Sequence, residues 1–234
     1  MNPLISVILT VCNEGEIIEN SVSIISSILN QITSNYEIII VNDGSTDNSK
    51  KICENITINY KNTKYIHREK NMGRGFSVKQ GILKSKGKFV GFIDTDLELN
   101  PKYIPLFITE LNKGNDLVTY KRIYKIKNVR DYIRYLAGKG YSTLVKIILW
   151  TKVTDSETGF KFFKKEKILP ILKLTKDNRW FFDTEIMVLS DRKKLKIKEI
   201  PLPYSQNKKH GSAVNVIRDS LRYLIRLIQF RFRI

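Results

Sequence analysis

Between Leu4 and Ile93, four short apolar runs recur: LISVILT (Leu4–Thr10), YEIIIV (Tyr36–Val41), KYIH (Lys64–His67) and KFVGFI (Lys88–Ile93). Continuous β-branched and aromatic runs of this length suit strands buried on both faces. The first three are each followed by a polar turn and a helical pattern, as with Ile17, Ile18, Val22, Ile25, Ile28 and Leu29 after the first. Strands alternating with helices at such short spacing predict an α/β fold with a mostly parallel sheet. In sheets of that kind ligands bind beyond the carboxyl ends of the strands. Glu14, Asp43, Asp94 and Asp96 all fall just past expected strand ends, so the topology should gather them. Ser45 or Thr46 is expected to cap the helix after the second strand.

The fourth run passes directly into Asp94-Thr95-Asp96-Leu97-Glu98 and stops at Pro101. Residues two apart on an extended segment point the same way, so Asp94, Asp96 and Glu98 would line one side of a strand end. Like charges held that close repel unless a cation or a proton sits among them. Hard oxygen ligands suit Mg²⁺ or Mn²⁺ bridging a carboxylate to substrate phosphates. Taken alone, the segment reads equally well as a solvated acidic turn.

The formal charge of +18 is unevenly distributed. Residues 1–100 hold 11 Lys+Arg and 11 Asp+Glu, whereas the remaining 134 residues hold 30 basic and 12 acidic side chains. An excess confined to one half points to an anionic partner gripped there. Cys12 and Cys53 provide no disulfide framework and fit a reducing compartment. No stretch reaches the roughly 18–20 apolar residues needed to cross a bilayer, and no secretion signal is evident at the N-terminus.

Past Pro101 the alternation loosens. Asp116–Tyr120 reads as a strand, 129–150 as a long helix softly broken at Gly138 and Gly140, 155–163 as a turn and short strand. A helix over 180–191, a strand over 195–200 and a last helix from about Val214 complete the chain. That last helix sets an apolar stripe (Ile217, Leu221, Leu224, Ile225, Ile228, Phe232) against Arg218, Arg222 and Arg226. No linker separates the halves. The expected organisation is one domain over 1–212, with a donor half (1–100) and an acceptor half (101–212), followed by an amphipathic helix over 213–234.

Four signatures stand in order: Cys12-Asn13-Glu14, Val41-Asn42-Asp43-Gly44-Ser45-Thr46-Asp47, Asn71-Met72-Gly73-Arg74-Gly75 and Ile93-Asp94-Thr95-Asp96. Together they resemble the family 2 glycosyltransferases with the GT-A fold, which take a sugar from a nucleotide diphosphate and invert its anomeric carbon. Asp155-Ser156-Glu157-Thr158-Gly159-Phe160-Lys161, Arg179-Trp180-Phe181-Phe182-Asp183-Thr184-Glu185, Glu199-Ile200-Pro201 and His210-Gly211-Ser212 are similar to the polyprenyl-phosphate branch, most of all its dolichyl-phosphate glucosyltransferases. Thr10-Val11-Cys12 departs from the branch's usual Pro-x-Tyr, Ala213 stands where Lys is common, and the branch's usual membrane anchor has no counterpart here.

The resemblance implies a nucleotide-sugar donor, UDP-glucose favoured and GDP-mannose the alternative, lined by Thr10, Cys12, Glu14, Val41, Asp43, Asp94 and Thr95. Asp94, Asp96 and Glu98 would hold Mg²⁺ or Mn²⁺ on its diphosphate, while Arg74 and a Lys208–His210 loop offset leaving-group charge. The implied acceptor is a polyprenyl or dolichyl phosphate. A sugar hydroxyl would need a general base, but a phosphate monoester, with a second pKa of about 6, arrives ionised. It needs cations instead: Arg122, Arg130 and Arg134 are the candidates, Arg being suited to bidentate contact, with Lys161 as a further one. Asp96, Arg122, Arg134 and Asp155 are the expected catalytic groups, and Asp183 and Glu185 the expected sugar-binding ones. Transfer to a saccharide or protein hydroxyl is the alternative, with Asp155 or Asp183 as base.

The helix over 129–150 and the last helix can lie in an anionic membrane interface, which predicts a cytoplasmic protein held peripherally at the membrane. A nucleic-acid-binding protein of this charge has no need of carboxylates gathered at strand ends, so no nucleic-acid partner is expected.

Overall fold

The apolar runs of the first half become the inner strands of one sheet. The computed structural model describes residues 4–204 and 216–234. In chain order it contains β1 (Ile5–Val11), α1 (Gly15–Ile32), β2 (Tyr36–Asp43), α2 (Ser49–Asn59), β3 (Thr63–Arg68), α3 (Arg74–Lys84) and β4 (Phe89–Asp94). A 3-10 turn (Pro101–Tyr103) then leads to α4 (Ile104–Asn112), β5 (Leu117–Tyr124), α5 (Val129–Leu149), β6 (Phe160–Lys164), α6 (Lys165–Leu172), α7 (Phe182–Arg192), β7 (Ile197–Tyr204) and α8 (Val216–Arg231).

Seven strands form a single sheet in the order β3-β2-β1-β4-β6-β5-β7. β1 pairs in parallel with both β2 and β4, and β2 with β3. The chain thus builds outward to β3 and then returns to the other side of β1, carrying α3 to the opposite face. Helices α1, α2 and α4 pack with one apolar cluster, around Leu9, Ile40, Cys53 and Phe107. Helices α3, α5, α6, α7 and α8 contribute to the other, around Ile8, Val78, Phe92, Val145, Phe182 and Phe230. The reversal between β1 and β4 opens a crevice beyond their carboxyl ends, the usual ligand position in such sheets.

The second half of the chain uses the sheet differently. β6 runs antiparallel to both β4 and β5, with Phe160 opposite Ile93. Its amino end therefore meets the carboxyl end of β4 and delivers residues 155–159 to the crevice. β5 and β7 run parallel, ending together at Tyr124 and Tyr204.

Several expectations need correction. Neither Ser45 nor Thr46 caps α2: the cap residue is Asn48, and Asp47 Oδ1 accepts from Ser49 N at 3.0 Å. Helix α5 runs unbroken through Gly138 and Gly140. Helices α4 and α6 went unanticipated because each carries a proline, Pro105 and Pro170. In α8 the core-facing residues are Leu227 and Phe230, whereas Ile225, Ile228 and Phe232 of the expected stripe are exposed. The side chains of Ile217, Arg218, Leu221 and Arg222 lie outside the described residues.

Candidate active site

The loops after β1 and β2 are laced together. Asn13 N donates to Ser45 Oγ (3.0 Å), Thr46 N to Asn13 Oδ1 (2.7 Å), Glu14 N to Ser49 Oγ (3.2 Å) and Gly15 N to Asp47 Oδ2 (3.3 Å). The serines and threonine read as caps are spent on this contact. Asp43 is 3% exposed and serves the neighbouring turn, accepting from Arg68 (2.7 Å), Met72 N and Gly73 N (both 2.8 Å). Gly73 (φ 99°) lies in the left-handed region, and a Cβ there would meet Asn178 O at 2.3 Å. Only glycine lets the 178–182 segment lie on this turn. Val41 turns its side chain into the core, and Thr95 Oγ1 donates to Thr10 O (2.8 Å), so both fix the crevice floor. Cys12 is exposed at the rim, its Sγ accepting from Asn71 Nδ2 at 3.2 Å.

The acids after β4 do not share one strand face. The strand ends at Asp94, the chain turns through Thr95-Asp96, and Leu97 takes a left-handed backbone (φ 52°). Asp94 Oδ1 binds Arg74 (2.6 and 2.8 Å), Asp96 Oδ1 accepts from Glu98 N (3.1 Å), and Glu98 accepts from Tyr204 OH (2.8 Å). No three His, Cys, Asp or Glu among the described residues form a ready metal cage. The negative charge is nonetheless concentrated. Burial, then the nearby Asp94 and Asp96, pushes the Glu14 carboxyl up to about 7, and burial with Asp96 and Asp94 raises that of Glu98. Asp96 forms no ion pair among the described residues.

A raised carboxyl pKa favours the folded state only while the group is protonated. Its contribution is complete below the ordinary value of 4.5 and lost as pH rises through about 7. Glu14→Gln is therefore expected to be more stable than the parent at pH 8 and equal to it at pH 4.5. Denaturant unfolding at the two pH values checks this.

A buried ionic chain links the halves. Arg74 bonds Asp94 and, at 2.6 Å, Asp183 Oδ2, while Asp183 Oδ1 accepts from Lys161 Nζ at 2.9 Å. Lys161 is fully buried and also donates to Thr158 O. Neither Lys161 nor Asp183 is thus free to grip a substrate, contrary to expectation: Asp183 holds Arg74 and Lys161 holds Asp183. Trp180, 60% exposed, stands 5.2 Å from the Arg74 guanidinium. Gly159 sits so close to Asp94 that a Cβ would meet Oδ2 at 1.5 Å.

On the acceptor side, Arg122 makes a two-pronged contact with Asp155 (2.8 and 2.7 Å) and lies over the rings of Tyr124 and Tyr204. Asp155 N and Thr154 N donate to Glu199. Arg134 is partly buried and has no hydrogen bond or ion pair among the described residues, which leaves its guanidinium available. Arg130 falls in the first turn of α5, its side chain outside the described residues. So does the whole His210 segment. Glu185 is displaced from the expected sugar site: it is 2% exposed and accepts from Lys176 N, Asp177 N and Arg233. It anchors the loop before α7 and the C-terminal residues.

Sequence reading missed Arg68, Tyr124 and Tyr204, which no local pattern marks, and Trp180, which lay inside a recognised motif without a role. A separate cavity of about 520 Å³ lies at the outer sheet edge, lined by Ile39, Thr63, Lys64, Tyr65 and Lys84 among others. It shares none of the gathered side chains.

An open, mostly parallel sheet with acids and cations gathered over its β1/β4 reversal defines a GT-A glycosyltransferase architecture. Residues 6–171 match glycosyl transferase family 2, and the chain belongs to that family. It is 32% identical to the dolichyl-phosphate beta-glucosyltransferase of Saccharomyces cerevisiae, over 97% of this chain and 74% of that protein. Its identity to the glycosyltransferase AglD of Haloferax volcanii is 26%, over 93% of this chain but 35% of that longer protein. Among solved structures, glucosyl-3-phosphoglycerate synthase from Mycobacterium tuberculosis, in complex with Mn²⁺, UDP-glucose and phosphoglyceric acid, shares the fold. Its TM-score is 0.71 at 19% identity, covering 98% of this chain and 79% of that one.

Proposed function

We propose that this protein transfers glucose from UDP-glucose to a polyprenyl or dolichyl phosphate, inverting the anomeric carbon. The observation that carries the proposal is the convergence of the acid-rich β1/β4 crevice with Arg122, whose guanidinium acts on the crevice carboxyl of Glu98. The yeast relative's activity supports glucose and the dolichyl class. Residues 1–100 form the donor half and residues 101–212 the acceptor half, and α8 supplies the amphipathic helix at the C-terminal end.

The donor lies over β1 and β2, against Thr10, Cys12 and Glu14, on the turn that Asp43 holds. The excess negative charge around Asp96 and Asp94 fits a divalent cation shared with a diphosphate, an arrangement typical of Mg²⁺. Asp96, with Asp94, would hold Mg²⁺ or Mn²⁺, which supplies charge neutralisation for the leaving group. Arg74, fixed by Asp183 and Asp94, adds a cation to the same wall. Arg134 and Arg122 orient the ionised acceptor phosphate, so Asp155 acts by aligning Arg122 and no base is needed.

No helix among the described residues is long and apolar enough to cross a membrane. The outer face of α5 exposes Val129, Tyr132, Ile133, Leu136, Leu144 and Ile147, and Trp150 follows at 77%. Arg231 stacks on Trp150, linking α8, where Phe232 is 87% exposed. This apolar face among basic residues suits an anionic lipid surface holding the acceptor. Trp150→Ala with Phe232→Ala is expected to weaken co-sedimentation with anionic vesicles about tenfold or more, leaving neutral vesicles little affected.

The function is tested with labelled UDP-glucose and GDP-mannose, each with Mn²⁺ and a short polyprenyl phosphate. Label passing from UDP-glucose into extractable lipid supports the proposal. Donor left unconsumed in the presence of the lipid phosphate refutes it.

A further inference from the structure

The segment 154–159 is fastened at nearly every residue. Thr154 and Asp155 hang from Glu199 and Asp155 grips Arg122. Ser156 Oγ meets Thr184 Oγ1 at 3.1 Å, Thr158 Oγ1 meets Thr119 Oγ1 at 2.6 Å, and Gly159 O accepts from Asp94 N at 3.0 Å. The exception is the Glu157 carboxyl. It has no hydrogen bond or ion pair among the described residues, although its chain neighbours are pinned on both sides. The buried carboxyls of the same half (Asp155, Asp183 and Glu185) are all bonded to cations.

Glu157 faces Arg122 and Tyr124 from β5, Asp155 from its own segment, Lys161 from β6, Asp183 from α7, Tyr141 from α5 and Tyr223 from α8. Both of the nearby cations are already neutralised by aspartates, so none is left for it. Burial, then Asp155 and Asp183, pushes its carboxyl up to about 7 against the pull of Arg122.

Resting on the lipid-phosphate reading above, we infer that Glu157 is an acceptor-binding residue whose unpartnered carboxyl donates a hydrogen bond to the ionised acceptor phosphate. A carboxylic acid kept neutral in this way is an effective donor to an anion, and once ionised it repels the same phosphate. Glu157 thereby selects a phosphate dianion over a neutral hydroxyl, and acceptor binding falls as pH rises above neutrality.

Two measurements with farnesyl phosphate as acceptor test this. The first is the pH profile of kcat/KM for the acceptor at saturating UDP-glucose. The parent enzyme should lose activity above about pH 7. Glu157→Gln, which keeps a donor but cannot ionise, should lose that limb and retain turnover, and Glu157→Ala should raise the acceptor KM by about tenfold to a hundredfold. The second is calorimetry of farnesyl phosphate binding to the parent protein in buffers of different ionisation enthalpy. Net proton uptake is expected above pH 7, and none in Glu157→Gln.

An unchanged alkaline limb in Glu157→Gln, or binding without proton uptake by the parent, overturns the inference while glucosyl-lipid formation stands. Absence of any glucosyl lipid from the parent enzyme overturns the underlying reading and the inference with it.

Discussion

Arg74→Met is expected to lower the unfolding free energy by about 3–5 kcal/mol, because it strips the cation from a buried chain and leaves its carboxylates uncompensated. Arg74 has 8% of its side chain exposed and binds both Asp94 and Asp183, the latter 5% exposed. Lys161 then faces Asp183 alone. Asp94, whose carboxyl burial already raises against the pull of Arg74, rises further and takes up a proton nearer neutrality. The same substitution removes the cation beside Asp94 from the wall proposed to face the leaving diphosphate, so turnover should drop by about 10² even in the folded fraction. Denaturant unfolding followed through tryptophan fluorescence, with initial rates under native conditions, measures both. A stability loss below about 1 kcal/mol, the range of an exposed ion pair, would show that the chain does not bind the halves together.

Asp96→Asn has the opposite signature: large on turnover, small on stability. Asparagine keeps the Oδ1 acceptor for Glu98 N but removes the charge proposed to face the leaving diphosphate. Loss of one such electrostatic group costs about 10²–10³ in kcat. The substitution also reports on the acids around it. Asp96 helps to raise both Glu14 and Glu98, so both should titrate lower in the variant, Glu14 moving below about 7 toward 4.5. Carbon-detected NMR of the glutamate carboxyls tests this beside initial rates. Wild-type turnover, or a Glu14 still titrating near 7, would remove Asp96 from its assigned position.

The first hundred residues were largely legible in the sequence. Apolar runs such as YEIIIV admit a strand buried on both faces and little else, and the turns between them advertise their ends. Convergence of Glu14, Asp94 and Asp96 followed from topology alone. Strand direction was not legible: nothing in FKFFK announces that β6 runs antiparallel, yet that reversal brings residues 155–159 to the crevice. Ion pairing was equally hidden, since Arg74 meets Asp183 across 109 residues and Lys161 meets it across 22. Lys161, Asp183 and Glu185 therefore read as substrate ligands when they are internal supports. In α8 the apolar positions exceed what one face can hold, and periodicity could not say that Leu227 and Phe230 turn inward while Ile228 and Phe232 face out.

The central claim is that sugar passes from a nucleotide diphosphate to a phosphate oxygen. It is tested most directly by offering one isoprenoid in two forms, the monophosphate and the free alcohol, with UDP-glucose and Mn²⁺, and weighing the products by mass spectrometry. The account predicts a single hexose added to the monophosphate, with UDP released and the alcohol untouched. Glucosylated alcohol in comparable yield, or an unmodified monophosphate while the donor is consumed on a saccharide, would contradict it.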